Sequence, residues 1–291
     1  DQSERLLWLL DTLHLMTEVH FEDFDLYLKG GTCVQHYFLR STQRFSKDID
    51  IGVRCQYALD RSVVQNKIFD YAKKLEANLA DRKGFPRGTV KLPNVALEGN
   101  VVPVARTFDP IYAKTYTDNR LFGITAGTAF VSIDFFLEET SASYRKESLN
   151  LIPTQYIDAS LSFPVATRER LLTDKIIVLS GTEEPYFAKE EEKDVLDLGM
   201  LATQANEIDW EEMQEMLKEW AVRKKINPPS RVIYASRKTV QKIRDEMDEQ
   251  RLATTINALL PRPKAFASTK DWRDSCNAVI QLLDRFLVML K

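Results

Sequence analysis

Histidine and cysteine are scarce in this chain, with three of each in 291 residues. Cys33, Cys55 and Cys276 are odd in number and widely spaced, which argues against a disulfide framework and fits a reducing cytoplasm. No Cys or His pair has zinc-ligand spacing, and His14, His20 and His36 are too scattered for a histidine-rich metal centre. Each reads instead as a helix-surface or packing residue. Apolar runs stay well short of the roughly 20 residues needed to cross a bilayer. Asp1–Leu10 lacks the basic region and cleavage site of a signal peptide, so no leader is expected, and the missing initiator Met points to a trimmed start. An excess of basic charge is lacking too. The net charge of −3 disfavours a globally basic nucleic-acid binder while leaving room for a local basic patch.

What is present is ordinary globular composition, 44% hydrophobic and 29% charged, in a length that suits one large domain or two ordinary ones. Residues 3–19 carry Leu6, Leu7, Leu10, Leu13 and Met16 at helical spacing. "DLYLKGG" reads as a strand stopped by glycines, "TCVQHYFLR" as a helix, and "KDIDIGV" as an alternating strand. A helix follows from Asp60 as N-cap, then a Gly/Pro-punctuated turn and hairpin over 82–99, then strands near Val101–Phe108 and Ala129–Leu137. Beyond about residue 155 the pattern is helical. "TRERLLTDKIIVLS", "EEEKDVLDLGMLAT", "DWEEMQEMLKEWA", 237–258 and 271–290 supply five helices. The expectation is an α+β chain, with a mixed-sheet N-terminal domain over 1–155 and a helical domain over 156–291.

Glycine is also sparse, ten in all, and Gly30–Gly31 is the sole adjacent pair. A strand that ends in Gly-Gly and opens a helix leaves backbone N–H groups at the positive end of the helix dipole, a ready anion site. Thr32 adds a hydroxyl; the alternative is a strand–helix turn with no ligand. Asp48 and Asp50, two apart on a strand, project from one face while Ile49 and Ile51 face the core. Like charges so placed repel unless a cation lies between them. Two Mg²⁺ ions about 3.5–4 Å apart, sharing nucleotide phosphates, would supply it; an acid pair on a solvated strand is the alternative. In "AFVSIDFFLEE", Asp134 is a lone charge in an apolar strand, to be held by metal or by a helix arginine.

"KGGT" followed by "RFSKDIDI" resembles the AbiEii-type toxins, nucleotidyltransferases of toxin–antitoxin pairs that include the MenT-like enzymes, within the DNA polymerase β-like nucleotidyltransferase superfamily. The Gly-Gly, the intervening helix and the Arg-x-Ser-x-Asp-x-Asp run carry the resemblance over residues 25–55, and more loosely over 125–200. It implies Mg²⁺-dependent transfer of NMP from an NTP with pyrophosphate leaving, and a cognate antitoxin. It implies that Gly30, Gly31, Thr32 and Ser46 bind nucleotide, and that Asp48, Asp50 and Asp134 hold metal. It also implies that the helical domain contributes Lys175, from "RLLTDKII", and Asp194, from "EEKDVLDLG", with Asp197 as the other candidate acid. Arg168 and Arg170 stand near enough in sequence to reach a triphosphate.

The expected acceptor is tRNA or another RNA. Arg223–Arg244 holds eight basic residues and no acidic ones, with Tyr234 among them, and Arg82, Lys83, Arg87 and Lys91 form a second cluster. Each reads either as a phosphate-tracking patch or as solvated surface. The competing functions are transfer to a protein or small-molecule hydroxyl, transfer of the γ-phosphate, and nucleotide binding without turnover.

Overall fold

The computed structural model describes residues 2–21, 24–38, 46, 48–55, 60–81, 89–97, 99–108, 119–125, 129–138, 146–150, 162–182, 191–203, 208–256 and 268–290. Arg82, Lys83 and Arg87 lie outside these residues, as does the expected domain boundary at 155. The chain divides into two compact units. The first comprises 1–37, 45–142 and 146–166; the second comprises 167–291 with 38–44 and 143–145.

In the first unit, alternating apolar residues build a seven-stranded mixed sheet. Its strands are β1 (Phe24–Lys29), β2 (Asp48–Cys55), β3 (Val90–Lys91), β4 (Val101–Phe108), β5 (Ala129–Glu138), β6 (Lys146–Asn150) and β7 (Ser162–Ala166), in the order β3-β4-β5-β2-β1-β7-β6. The pairs β2–β5 and β1–β7 are parallel and the remaining pairs antiparallel. Strands β6 and β7 fall in a stretch that sequence periodicity left unassigned or gave to the helical domain. Pro164 and the shortness of both strands hide the period-two signal there.

Helices α1 (Gln2–Glu18) and α3 (Arg61–Asp81) cover one face of the sheet. Asp60 starts α3 by accepting from the Ser62 backbone N–H at 3.1 Å. Ile49, Ile51, Val131, Ile133 and Phe135 point into this layer and are fully buried. Tyr71 of α3 meets the Phe135 ring edge-on at 6.1 Å, and Trp8 of α1 stacks on Phe108 at 5.1 Å. One charge pair is sunk in the same layer. Arg106 of β4, with no exposed surface, donates to the Asp11 carboxylate at 2.6 Å and to Thr12 Oγ1 at 3.2 Å. Removing one member of such a pair leaves a buried charge uncompensated, which is costlier than removing both.

The second unit is a helical bundle: α4 (Arg168–Leu179), α5 (Glu191–Thr203), α6 (Trp210–Arg223), α7 (Ser230–Glu246), α8 (Glu249–Arg251) running into a π-helical turn (Leu252–Ile256), and α9 (Thr269–Met289). Thr167 caps α4 by accepting from the Arg170 N–H, and Asp209 caps α6 by accepting from the Glu212 N–H. The helix expected over 237–258 differs in extent. It begins at Ser230, directly after Pro228–Pro229, and ends at Glu246, where Met247 turns extended. Proline suits a helix start, and the apolar positions Val232, Ile233, Val240 and Ile243 continue the period in both directions. Gly199 lets α5 approach α9, since a Cβ there would lie 2.9 Å from Ser275 Oγ.

Asp11→Ala should lower the unfolding free energy by about 3–5 kcal/mol, because Arg106 keeps its charge without its carboxylate. The double change Asp11→Leu with Arg106→Met should cost less than the single one in denaturant unfolding. Equal or larger loss in the double variant would show that the pair contributes more than its desolvation costs.

Candidate active site

The site is built at the end of β1, where the chain turns into a short helix, α2 (Gly30–Cys33), that continues as a π-helical turn (Val34–Phe38). Gly30 has φ +64°, a left-handed conformation that a side chain disfavours. Contact requires glycine there as well. A Cβ on Gly30 would lie 1.7 Å from Asp50 Oδ2, so the bare backbone of Gly30 rests against that carboxylate. The buried Thr32 donates its hydroxyl to the Asp48 carbonyl at 2.5 Å. This bond ties helix to strand. Ser46 is held by its backbone N–H, which donates to Oε1 of the buried Gln35 at 2.9 Å. Gln35 thus anchors the segment leading into the two aspartates.

Asp48 and Asp50 lie on β2. Its parallel neighbour β5 sets Ser132 beside Asp48 and Asp134 beside Asp50. Paired residues on neighbouring strands share a face, and the strands are about 4.8 Å apart. Three carboxylates are therefore gathered on the face opposite α1 and α3. Asp134 is buried, and Ser132 Oγ donates to it at 3.0 Å. Burial, then Asp50, then Asp48 push its pKa well above the ordinary carboxylate value, with the Ser132 bond opposing. A divalent cation would relieve this crowding of like charge, and an all-carboxylate donor set suits a hard ion such as Mg²⁺. Asp134 is nonetheless engaged by Ser132, and among the described residues no three acids, histidines or cysteines form a closed ligand set.

The same face carries residues that sequence reading missed. Lys29 sits opposite Asp50 in the β1–β2 register, and Tyr27 opposite Gly52. A Cβ on Gly52 would lie 1.8 Å from Tyr27 Cζ, so the tyrosine ring crosses the glycine. Tyr27 donates its hydroxyl to Glu138 Oε1 at 2.7 Å, and Lys29 Nζ lies 3.4 Å from the same oxygen and 4.7 Å from the Phe136 ring centre. The available signal was the strand period, counted backward from Gly30 and forward from Asp50.

In the second unit, α4 and α5 bring Lys175 to both candidate acids. Lys175 Nζ lies 2.6 Å from Asp194 Oδ1 and 2.8 Å from Asp197 Oδ2. Asp197 is fully buried, while the Asp194 side chain keeps 16% of its exposure. Arg168 and Arg170 are occupied locally, Arg168 with Glu169 at 3.5 Å and Arg170 with Asp174 at 2.7 Å.

A glycine corner pressed on a strand acid, with two more acids on the same face, sets concentrated negative charge beside a bare backbone turn. The chain belongs to the AbiEii nucleotidyl transferase toxin family of type IV toxin–antitoxin systems, whose model matches residues 14–283. It is accordingly a nucleotidyltransferase. Its fold is similar to that of the MenT4 nucleotidyltransferase toxin of Mycobacterium tuberculosis, at 14% identity and a TM-score of 0.52, covering 99% of this chain and 94% of that one. A nucleotidyltransferase-like antigenic protein from Paracoccidioides brasiliensis aligns at 13% identity over 78% of this chain and 91% of its own, with a TM-score of 0.38 too low to bear on function. No curated protein matches the sequence.

Gly30→Ala should cost at least about 1 kcal/mol in stability from the left-handed backbone alone. It should lower NMP transfer by about 100-fold or more, because Asp50 must move. Transfer kinetics at wild-type level in a folded variant would show that the contact is incidental. A second prediction concerns His36, whose imidazole burial holds neutral, with its pKa lowered from 6.5 to about 4 and Nε2 unpartnered among the described residues. Between those values the unfolded chain takes up a proton that the folded chain refuses. This stability is complete above about pH 6.5 and is lost as pH falls toward 4, on the order of 3 kcal/mol in all. Urea unfolding from pH 7 to pH 4 should show a shallower decline in His36→Gln than in the unsubstituted protein.

Proposed function

We propose that this enzyme transfers a nucleoside monophosphate from an NTP to the hydroxyl of an RNA acceptor, with tRNA as the substrate class, in a Mg²⁺-dependent reaction. The observation that carries this reading is the contact of Gly30 with Asp50 beside Asp134. That contact and the β2–β5 register support a site in which the glycine corner lies next to three carboxylates. The backbone N–H groups of Gly30 and Gly31 would bind the β- and γ-phosphates, with Ser46 close to the same turn through Gln35. Asp48, Asp50 and Asp134 would hold the metal. Bound Mg²⁺ would neutralise charge on the triphosphate and favour the deprotonated acceptor hydroxyl.

In the reaction the acceptor oxygen bonds to the α-phosphorus and the bond from that phosphorus to the bridging oxygen breaks. Pyrophosphate leaves with the electron pair, and the hydroxyl proton is released. Negative charge grows on the departing oxygens, and a fixed cation lowers its energy. Within the second unit, Asp194 and Asp197, both within salt-bridge distance, would hold the Lys175 ammonium in place. Asp197, the fully buried acid, is the one better suited to fix its position.

Incubation with each α-³²P NTP, Mg²⁺ and total tRNA should label the RNA, and Asp48→Ala or Asp50→Ala should reduce labelling by at least about 1,000-fold. Label in protein or in a small molecule would move the acceptor class. Label arriving from γ- but not α-phosphate would replace nucleotidyl transfer by phosphoryl transfer. Unchanged labelling in both aspartate variants would remove the metal assignment.

A further inference from the structure

Helix α7 buries Val232, Ile233, Ser236, Val240 and Ile243 against the second unit. On its other side Arg231, Tyr234, Lys238 and Lys242, at intervals of three and four, form one exposed stripe. Tyr234 keeps 57% of its surface in solvent, unusual for a large aromatic side chain. We propose that this stripe, extended by Lys225 in the turn before α7, is the surface that receives the phosphate backbone of the RNA acceptor. The proposal rests on the reading of an RNA acceptor given above and identifies where that acceptor is gripped.

Partnering separates these charges from the rest of the basic segment. Arg237 is paired with Asp284 at 2.7 Å, and Arg244 with Asp245 at 2.9 Å and Asn277 at 2.9 Å. Those two arginines are used in holding or shielding the bundle. Arg231, Lys238 and Lys242 have no carboxylate partner among the described residues. The only acids on α7 are Asp245 and Glu246, at its far end. An unbalanced positive stripe in a chain of net charge −3 is complementary to a polyanion.

Two of the cations also stand where folding alone would not put them. Arg231 lies in the first turn of α7, at the positive end of the helix dipole. Lys225, two residues past the end of α6, has φ +56°, with the Ile226 N–H bonded to the Ala221 carbonyl at 2.8 Å and its own N–H to that of Val222 at 3.0 Å. That position favours glycine. Along the axis Lys238 and Lys242 are about 6 Å apart and the whole stripe about 16 Å long, room for several phosphates. The Tyr234 ring, between Arg231 and Lys238 on the stripe, offers a face on which an unpaired base can stack, independent of base identity.

The test is tRNA binding by the full chain, measured by fluorescence anisotropy across a KCl series. Replacing Arg231, Lys238 and Lys242 together with Gln should weaken binding about tenfold or more and flatten the log K against log [salt] slope by about 2–3. Tyr234→Ala should weaken binding with the slope unchanged. Lys225→Gly should raise the melting midpoint by about 2 °C while reducing the slope by about 1, opposite effects that a purely structural lysine would not give. All these positions are exposed, so folding is expected to persist, and the melting midpoints check it. Unchanged affinity and slope in the triple variant overturn the proposal. So does a wild-type protein that ignores tRNA and binds an acidic protein through the same residues. An Asp50→Asn variant separates the two readings. If it still transfers NMP, the catalytic assignment fails while the binding measurement stands. If tRNA is labelled normally by the triple variant with unaltered salt dependence, only the surface assignment fails.

Discussion

The contact between Gly30 and the Asp50 carboxylate is the constraint around which the first unit is arranged. It demands a residue with no side chain and a backbone turned left-handed, and it demands that β2 run close beside the end of β1. Antiparallel pairing of β1 with β2 satisfies the second demand, because Lys29 and Asp50 fall opposite each other. The Thr32 hydroxyl bond to the Asp48 carbonyl then closes the corner from the helix side. Any slip of one residue in this register would turn Asp48 and Asp50 into the apolar layer under α1 and α3.

The sheet thus separates two kinds of chemistry by face. Beneath it, α1 and α3 bury aromatic and branched side chains, with one compensated ion pair, Arg106 and Asp11, sealed among them. Above it stand three acids, and burial, then Asp50 and Asp48, push the pKa of Asp134 up. Carboxylates crowded in this way carry a cost in stability. Lys29, Tyr27 and Glu138 border the acids with a balanced hydrogen-bonded group. The second unit uses the same physics with opposite sign, setting one ammonium, Lys175, between two carboxylates.

Much of this was legible in the residues. Leucine spacing marked α1, alternation marked β2 and β5, a short apolar run marked β4, and Asp60 and Asp209 marked helix starts, because each of these signals is local. Glycine scarcity made Gly30–Gly31 stand out, and the interval of two put Asp48 and Asp50 on one face. Other features were not legible. Strands β6 and β7 are short and carry no clear alternation. The start of α7 was placed too late because the basic segment obscures its apolar stripe. The bond from the Thr32 hydroxyl to the Asp48 carbonyl joins residues sixteen apart, which no local signal announces.

By itself, then, the amino-acid order determined the periodic elements, the glycine corner and the paired acids, since these follow from backbone geometry within a few residues. Tertiary structure alone decided that Asp134 lies beside Asp50, because strand pairing across more than eighty intervening residues is set by packing of the whole sheet. It decided that Lys175 meets both Asp194 and Asp197, and that Arg237 and Arg244 are neutralised while Arg231, Lys238 and Lys242 have no carboxylate partner among the described residues. Charge and burial are properties of neighbours in space, and a chain names its neighbours only once it has folded.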